Sequence, residues 1–160
     1  MKESIKKEIE KIIKDYELNC SIEEFKDKID WKDISGDQKL SKNFIRKFKN
    51  KVDWYWISYH QLLSEKFIRE FKNKIDWGNI CYRQKLSENF IREFQDKVDW
   101  KNISEYQSLL KNFIIEFQDK VDWEEIIKSQ NFMEYFIKDL PQKTKNKVTK
   151  VKNKFQLIRF

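Results

Sequence analysis

The dipeptide Asp-Trp occurs at 30–31, 53–54, 76–77, 99–100 and 122–123, each time 23 residues after the last. Phe25, Phe48, Phe71, Phe94 and Phe117 keep the same beat, as do Ile34, Ile57, Ile80, Ile103 and Ile126. So do Gln38, Gln61, Gln84, Gln107 and Gln130. A fixed period without insertions identifies a repeat array, whose units cannot bury their apolar faces alone and must stack on copies of themselves. An active site needs writing only once, so the repeated positions describe scaffold.

Within residues 85–107, Leu86, Phe90, Ile91, Phe94 and Val98 fall at i, i+4, i+5, i+8 and i+12, one face of an α-helix. Ser87 stands where it can cap that helix. Asp99 can cap a second one, whose apolar stripe is Trp100 and Ile103. Each unit therefore predicts a helix of about three turns joined tightly to one of about two. Such helices are marginal alone in water and depend on their neighbours. Two Gly and one Pro leave too little punctuation for a strand-and-turn architecture. The expected fold is all-α: a short α-solenoid of five helix-turn-helix repeats of 23 residues with helical caps. Glu24/Lys28, Glu70/Lys74, Glu93/Lys97 and Glu116/Lys120 are spaced as i, i+4 ion pairs on the outer faces. Ser21 and Glu24 have capping-box spacing.

Residues 1–140 read as a single α-helical repeat domain. Its cap helix over 1–20 carries Ile5, Ile9, Ile12, Ile13 and Tyr16, and the repeats fill 21–130. A half-repeat over 131–140 places Phe132, Phe136, Ile137 and Leu140 where Leu109, Phe113, Ile114 and Phe117 stood. Pro141 ends the array. Residues 141–160 form a basic amphipathic tail with Val148, Val151, Phe155 and Ile158 on one side, either docked or open to a partner.

The string L-S-x-x-F-I-R-E-F-x-x-K-[VI]-D-W-x-x-I-S, as at 86–104, resembles the tandem repeats of uncharacterised proteins of large DNA viruses, with similar repeats expected in phages and AT-rich bacteria. The resemblance covers about 21–140. It implies a viral setting, in which the partner would be a host factor or immune effector that the protein blocks. It supplies no catalytic residues.

"MKESIKKEIEKIIKDYEL" has no uninterrupted apolar run and nothing approaches a membrane span, so the expectation is an intracellular protein, not secreted. Cys20 and Cys81 build neither a disulfide framework nor a zinc spacing, and Cys81 fills a slot held by Ser35, Ser58 and Ser104. His60 is the only histidine, with no nucleophile or metal-ligand pattern around it, and phosphate-binding glycine motifs are absent. The expectation is no enzyme, no cofactor and no metal. The five Asp-Trp pairs read as helix caps and packing.

Function is sought where units depart from the pattern. Tyr55, Trp56, Tyr59 and His60, then Tyr82 and Arg83, occupy slots that are polar or small elsewhere, such as Lys32, Asp33, Gly36 and Asp37. Trp, Tyr and Arg are the residues enriched at interface hot spots, so these are the candidate partner-binding residues. A second departure is the basic run Lys39, Lys42, Arg46, Lys47, Lys49 and Lys51, which holds no acid. The third is the tail, where Lys143, Lys145, Lys147, Lys150, Lys152, Lys154 and Arg159 carry the entire formal charge of +7. By unit the charge falls from +5 (39–61) through +2 (62–84) and −1 (85–107) to −2 (108–130). The leading expectation is a non-enzymatic protein-binding module. The alternatives are a nucleic-acid binder using the basic run and tail, and a structural, self-associating component. Oligomeric state is not legible.

Overall fold

The computed structural model describes residues 2–129 and 134–157, the side chains of 129, 134–136 and 155–157 excepted. Among the described residues all regular structure is helical. After the cap helix α1 (Glu3–Asp15) come five helix pairs. The first helices are α2 (Phe25–Lys28), α4 (Lys42–Lys47), α6 (Glu65–Glu70), α8 (Glu88–Glu93) and α10 (Lys111–Glu116). The second helices are α3 (Trp31–Asp37), α5 (Trp54–His60), α7 (Trp77–Arg83), α9 (Trp100–Tyr106) and α11 (Trp123–Ser129). A 3₁₀ turn at Glu134–Asp139 precedes α12 (Gln142–Leu157). The chain divides into two compact units, Met1–Asp76 and Trp77–Phe160. In the first, α1 packs on α4 and α3 on α5; in the second, α7, α9 and α11 pack in series and α12 covers α11.

Sequence dictates each element closely. Ser41, Ser64 and Ser87 accept backbone N–H bonds from Phe44, Phe67 and Phe90, opening the first helices. Asp30, Asp53, Asp99 and Asp122 do the same for the second helices. The Ser21–Glu24 capping box closes both ways, at 3.0 and 3.3 Å. The first helices are shorter than their pattern predicts. α4 stops after six residues, and Phe48 leaves the helical region at φ −108°, ψ 26°. Its ring lies 4.7 Å from that of Phe44, and the chain continues as a tight turn to Val52. Packing of the Phe pair therefore bends the chain that apolar spacing alone continues.

Phe25, Phe44, Phe67, Phe90 and Phe113 are fully buried with Ile34, Ile57, Ile80, Ile103 and Ile126. Each Trp leans on the next repeat: the Trp31–Phe48, Trp77–Phe94 and Trp100–Phe117 ring centroids are 5.0, 5.1 and 5.0 Å apart. The indole N–H is not wasted, since Trp54 donates to the Lys49 carbonyl and Trp100 to the Gln95 carbonyl at 2.9 Å.

The joint between repeats is polar. Gln61 is buried; its amide donates to the Ser35 and Gln38 carbonyls at 3.1 and 2.7 Å and accepts from Leu40 N–H at 3.1 Å. Gln107 repeats this on Cys81, Gln84 and Leu86 at 2.8, 2.9 and 3.0 Å. One side chain thus satisfies the C-terminal carbonyls of a helix in the preceding repeat and the linker that leaves it. Ser35, Ser58 and Ser104, all fully buried, donate to the Trp31, Trp54 and Trp100 carbonyls and accept from Asp53, Asp76 and Asp122 N–H. Cys81 takes this slot as a fully buried side chain.

Two of the expected i, i+4 ion pairs give way to pairs at a different offset. Glu70 and Glu116 bond not to the lysines four residues on but to Arg46 and Arg92, 24 residues earlier, with nitrogen–oxygen distances of 2.7–3.0 Å. Helices α6 and α10 end at Glu70 and Glu116, so no further turn exists to hold an i+4 lysine on the same face. Asp96 and Lys120 pair at the same offset, at 3.2 Å.

Three outcomes follow from this packing. Phe90→Ala empties a fully buried aromatic site and is expected to cost about 3–5 kcal/mol in urea unfolding. Gln107→Ala strands buried backbone groups in two repeats and is expected to cost about 3 kcal/mol, with hydrogen exchange rising first at Cys81–Leu86. The third outcome concerns pH. The arginine bonds hold the Glu70 and Glu116 carboxyls below their ordinary value of 4.5, and backbone bonding from Ser21 does so for Glu24. A carboxylate with a depressed folded-state pKa stabilises fully above the unfolded value and loses that contribution as pH falls through its folded value. The melting temperature should therefore drop as pH falls below 4.5, and Glu70→Gln/Glu116→Gln should flatten that acid limb. An acid limb unchanged in the double variant would assign the dependence elsewhere.

Candidate protein-binding surface

Four of the candidate residues lie on one short helix. Asp53 starts α5 by accepting from Tyr55 and Trp56 N–H, and the buried Ile57 and Ser58 fix which side faces inward. Tyr55, Trp56, Tyr59 and His60 are left on the remaining side and form a ring cluster. Trp56 meets Tyr55 edge-on at 5.3 Å, stacks with His60 at 5.3 Å and 30°, and stands 6.4 Å from Tyr59. Tyr59 and His60 are 4.8 Å apart. Tyr55 is 52% exposed, His60 is exposed, and Trp56 and Tyr59 are half-buried.

The cluster is seated on α3. A Cβ added at Gly36 would lie 3.7 Å from both His60 and Trp56, at ordinary contact distance, so both rings pack against α3 here. Lys32 holds its ammonium 5.8 Å from the Trp56 ring centre. The rings thus both pack on the neighbouring repeat and present their outer edges. A groove of about 730 Å³ opens beside them, walled by Gly36–Asn43 and His60–Leu62. Leu62 is 81% exposed at its edge.

The second unit carries its own aromatic pair. Tyr82, 37% exposed, meets Tyr106 edge-on at 4.6 Å, and the Arg83 guanidinium lies 5.6 Å from the Tyr82 ring centre. Tyr106 was not singled out from sequence. It occupies the same variable slot as His60 and Arg83, so reading that column across all repeats finds it. A hydrogen bond with Glu105, aided by desolvation, pushes its phenol up to about 12.

The basic run is less uniform than its composition. Arg46 is committed to Glu70 and lies 5.1 Å from the Phe67 ring centre, and Lys51 approaches Asp27 at 4.0 Å. Lys39, Lys42, Lys47 and Lys49 are exposed. The tail is docked. Val148 and Thr144 of α12 are buried, Thr144 donates to Gln118 at 2.6 Å, and Lys154 pairs with Glu124 at 3.0 Å. The acidic last repeat is where the basic helix lands. Lys143, Lys147, Lys150 and Lys154 are exposed along one row of α12, while Lys145 and Lys152 are half-buried on the other side. Phe132, Gln130, Ile158 and Arg159 lie outside the described residues, as does the Phe136 side chain. Among the described residues no helix is long and apolar enough to cross a membrane. No family model, curated protein or solved structure matches this chain.

Proposed function

We propose that this chain is a non-enzymatic repeat scaffold that binds another protein through the α5 ring cluster, and that it is a viral or phage protein acting on a host factor. The observation that carries the reading is the cluster itself. Tyr55, Trp56, Tyr59 and His60 stand at positions where the repeat unit does not require aromatics, yet they stack on one another and pack against α3 at Gly36. Rigid aromatic edges lose little side-chain entropy on contact and desolvate favourably, which is why such groups dominate interface energies. Tyr82, Arg83 and Tyr106 form a separate patch of the same chemistry. The viral setting rests on the repeat string.

The exposed Lys row of α12 favours a second reading, nucleic-acid binding. Against it, Lys154 and Arg46 are spent on internal carboxylates, which breaks any continuous basic track.

Affinity capture from nuclease-treated host extract separates the two. A partner that survives high salt and deletion of 141–160 but is lost in Trp56→Ala/Tyr59→Ala is the expected result, with a drop of tenfold or more in affinity, about 1.4 kcal/mol. A partner retained by the double variant would overturn the choice of surface. Capture abolished by nuclease or by moderate salt would favour nucleic acid.

A further inference from the structure

We infer that the groove beside the α5 rings is the subsite for an acidic segment of the partner, one that carries an apolar side chain among its carboxylates. This rests on the protein-binding reading above and specifies its partner's chemistry.

Three features of the groove lead there. Its wall is the turn from α3 into α4, whose Ser35 and Gln38 carbonyls and Leu40 N–H are all occupied by the Gln61 amide. Backbone pairing with a visiting strand is therefore not available at those atoms, and recognition falls to side chains. Those side chains are Lys39, Lys42, Asn43 and His60; Asp37 lies among them, and the Glu8 carboxylate of α1 accepts from the Ser41 hydroxyl and N–H at 2.5 and 2.7 Å. Lys39 and Lys42 are exposed, and neither is in an ion pair among the described residues.

The second feature is a reversal of charge. The slot of Lys42 holds Glu65 and Glu88 in the next two repeats and Lys111, which pairs with Asp139, in the one after; Glu88 uses its carboxylate to accept from the Leu110 N–H at 2.7 Å. Lys42 can make no such bond. The reversal thus removes a scaffold contact and places a cation at the groove mouth, in the repeat whose net charge, +5, is the highest of the four from 39 to 130.

The third feature is apolar. Leu62 occupies a slot that is Lys39, Lys85 or Ser108 in other repeats, and it stands 81% exposed at the same groove. His60 joins the groove to the Trp56 ring on which it stacks. Two free ammonium groups beside an exposed Leu and an aromatic wall complement carboxylates flanking an apolar side chain.

Fluorescence anisotropy with the full chain tests this, using three labelled probes: a short Glu/Asp-rich peptide with one central Leu, its Lys-rich counterpart, and single-stranded oligo-dT. The acidic peptide should bind at low salt and the Lys-rich one should not. Lys39→Glu/Lys42→Glu should weaken the acidic peptide about tenfold or more. Leu62→Asn should weaken it less, and amide shifts should map to 36–43 and 60–62. All three residues are on the surface, so an unchanged thermal melt certifies the fold. No binding of the acidic peptide, or binding indifferent to Lys39 and Lys42, would overturn the subsite. Oligo-dT binding lost in the same double variant would overturn it in favour of nucleic acid. If a captured partner depends on Trp56 and Tyr59 while the acidic peptide does not bind, the ring surface stands and the acidic subsite falls. If the peptide binds at Lys39 and Lys42 but no partner depends on the rings, the protein-binding surface as drawn falls instead.

Discussion

A buried glutamine side chain holds one repeat to the next, and the short helices depend on it. A six- or seven-residue helix leaves most of its carbonyls and N–H groups without intrahelical partners, and burying such ends unpaired is costly. Gln61 and Gln107 answer this by placing an amide, which both donates and accepts, where two carbonyls and one N–H of the preceding repeat converge. A charged or apolar residue there could not serve all three groups. The serine hydroxyls at 35, 58 and 104 add a second polar tie, again donating within one repeat and accepting from the next. Aromatic packing supplies most of the apolar burial, but these polar ties fix how far each repeat is turned on its neighbour.

That turn appears as a constant offset. Arg46–Glu70, Arg92–Glu116, Asp96–Lys120, Asn102–Gly78, Lys32–Trp56 and Tyr82–Tyr106 each join residues 24 apart. The sequence repeats every 23, so facing positions belong to adjacent columns of the repeat and not to the same one. This single displacement explains why the expected i, i+4 pairs give way to inter-repeat ones. Lys42 and Leu62 remain as departures that scaffold packing does not account for.

The candidate surface was legible in part. Tyr55, Trp56, Tyr59 and His60 stood out because the first repeat holds polar or small residues there, and they do form one cluster. Gly36 and Lys32 did not stand out. Each looked like an ordinary member of its own repeat, and their meaning comes from the rings that a neighbouring helix lays against them. The basic run looked uniform in sequence, whereas ion pairing removes Arg46 and brings Lys51 towards Asp27. The tail's amphipathic spacing was visible, but its destination was not. The last repeat's negative charge could be read from the sequence, but that the tail lands on it, with Thr144 bonded to Gln118, is set by packing.

By itself the sequence determined that this protein is an array of capped helix pairs, because period, caps and apolar spacing are local properties written into repeat after repeat. Helix length, ion-pair partners and the shape of the surface were decided only in the tertiary structure. Those depend on how one repeat is rotated on the next, and that rotation is set by side chains reaching across the joint to backbone atoms whose positions no single repeat encodes.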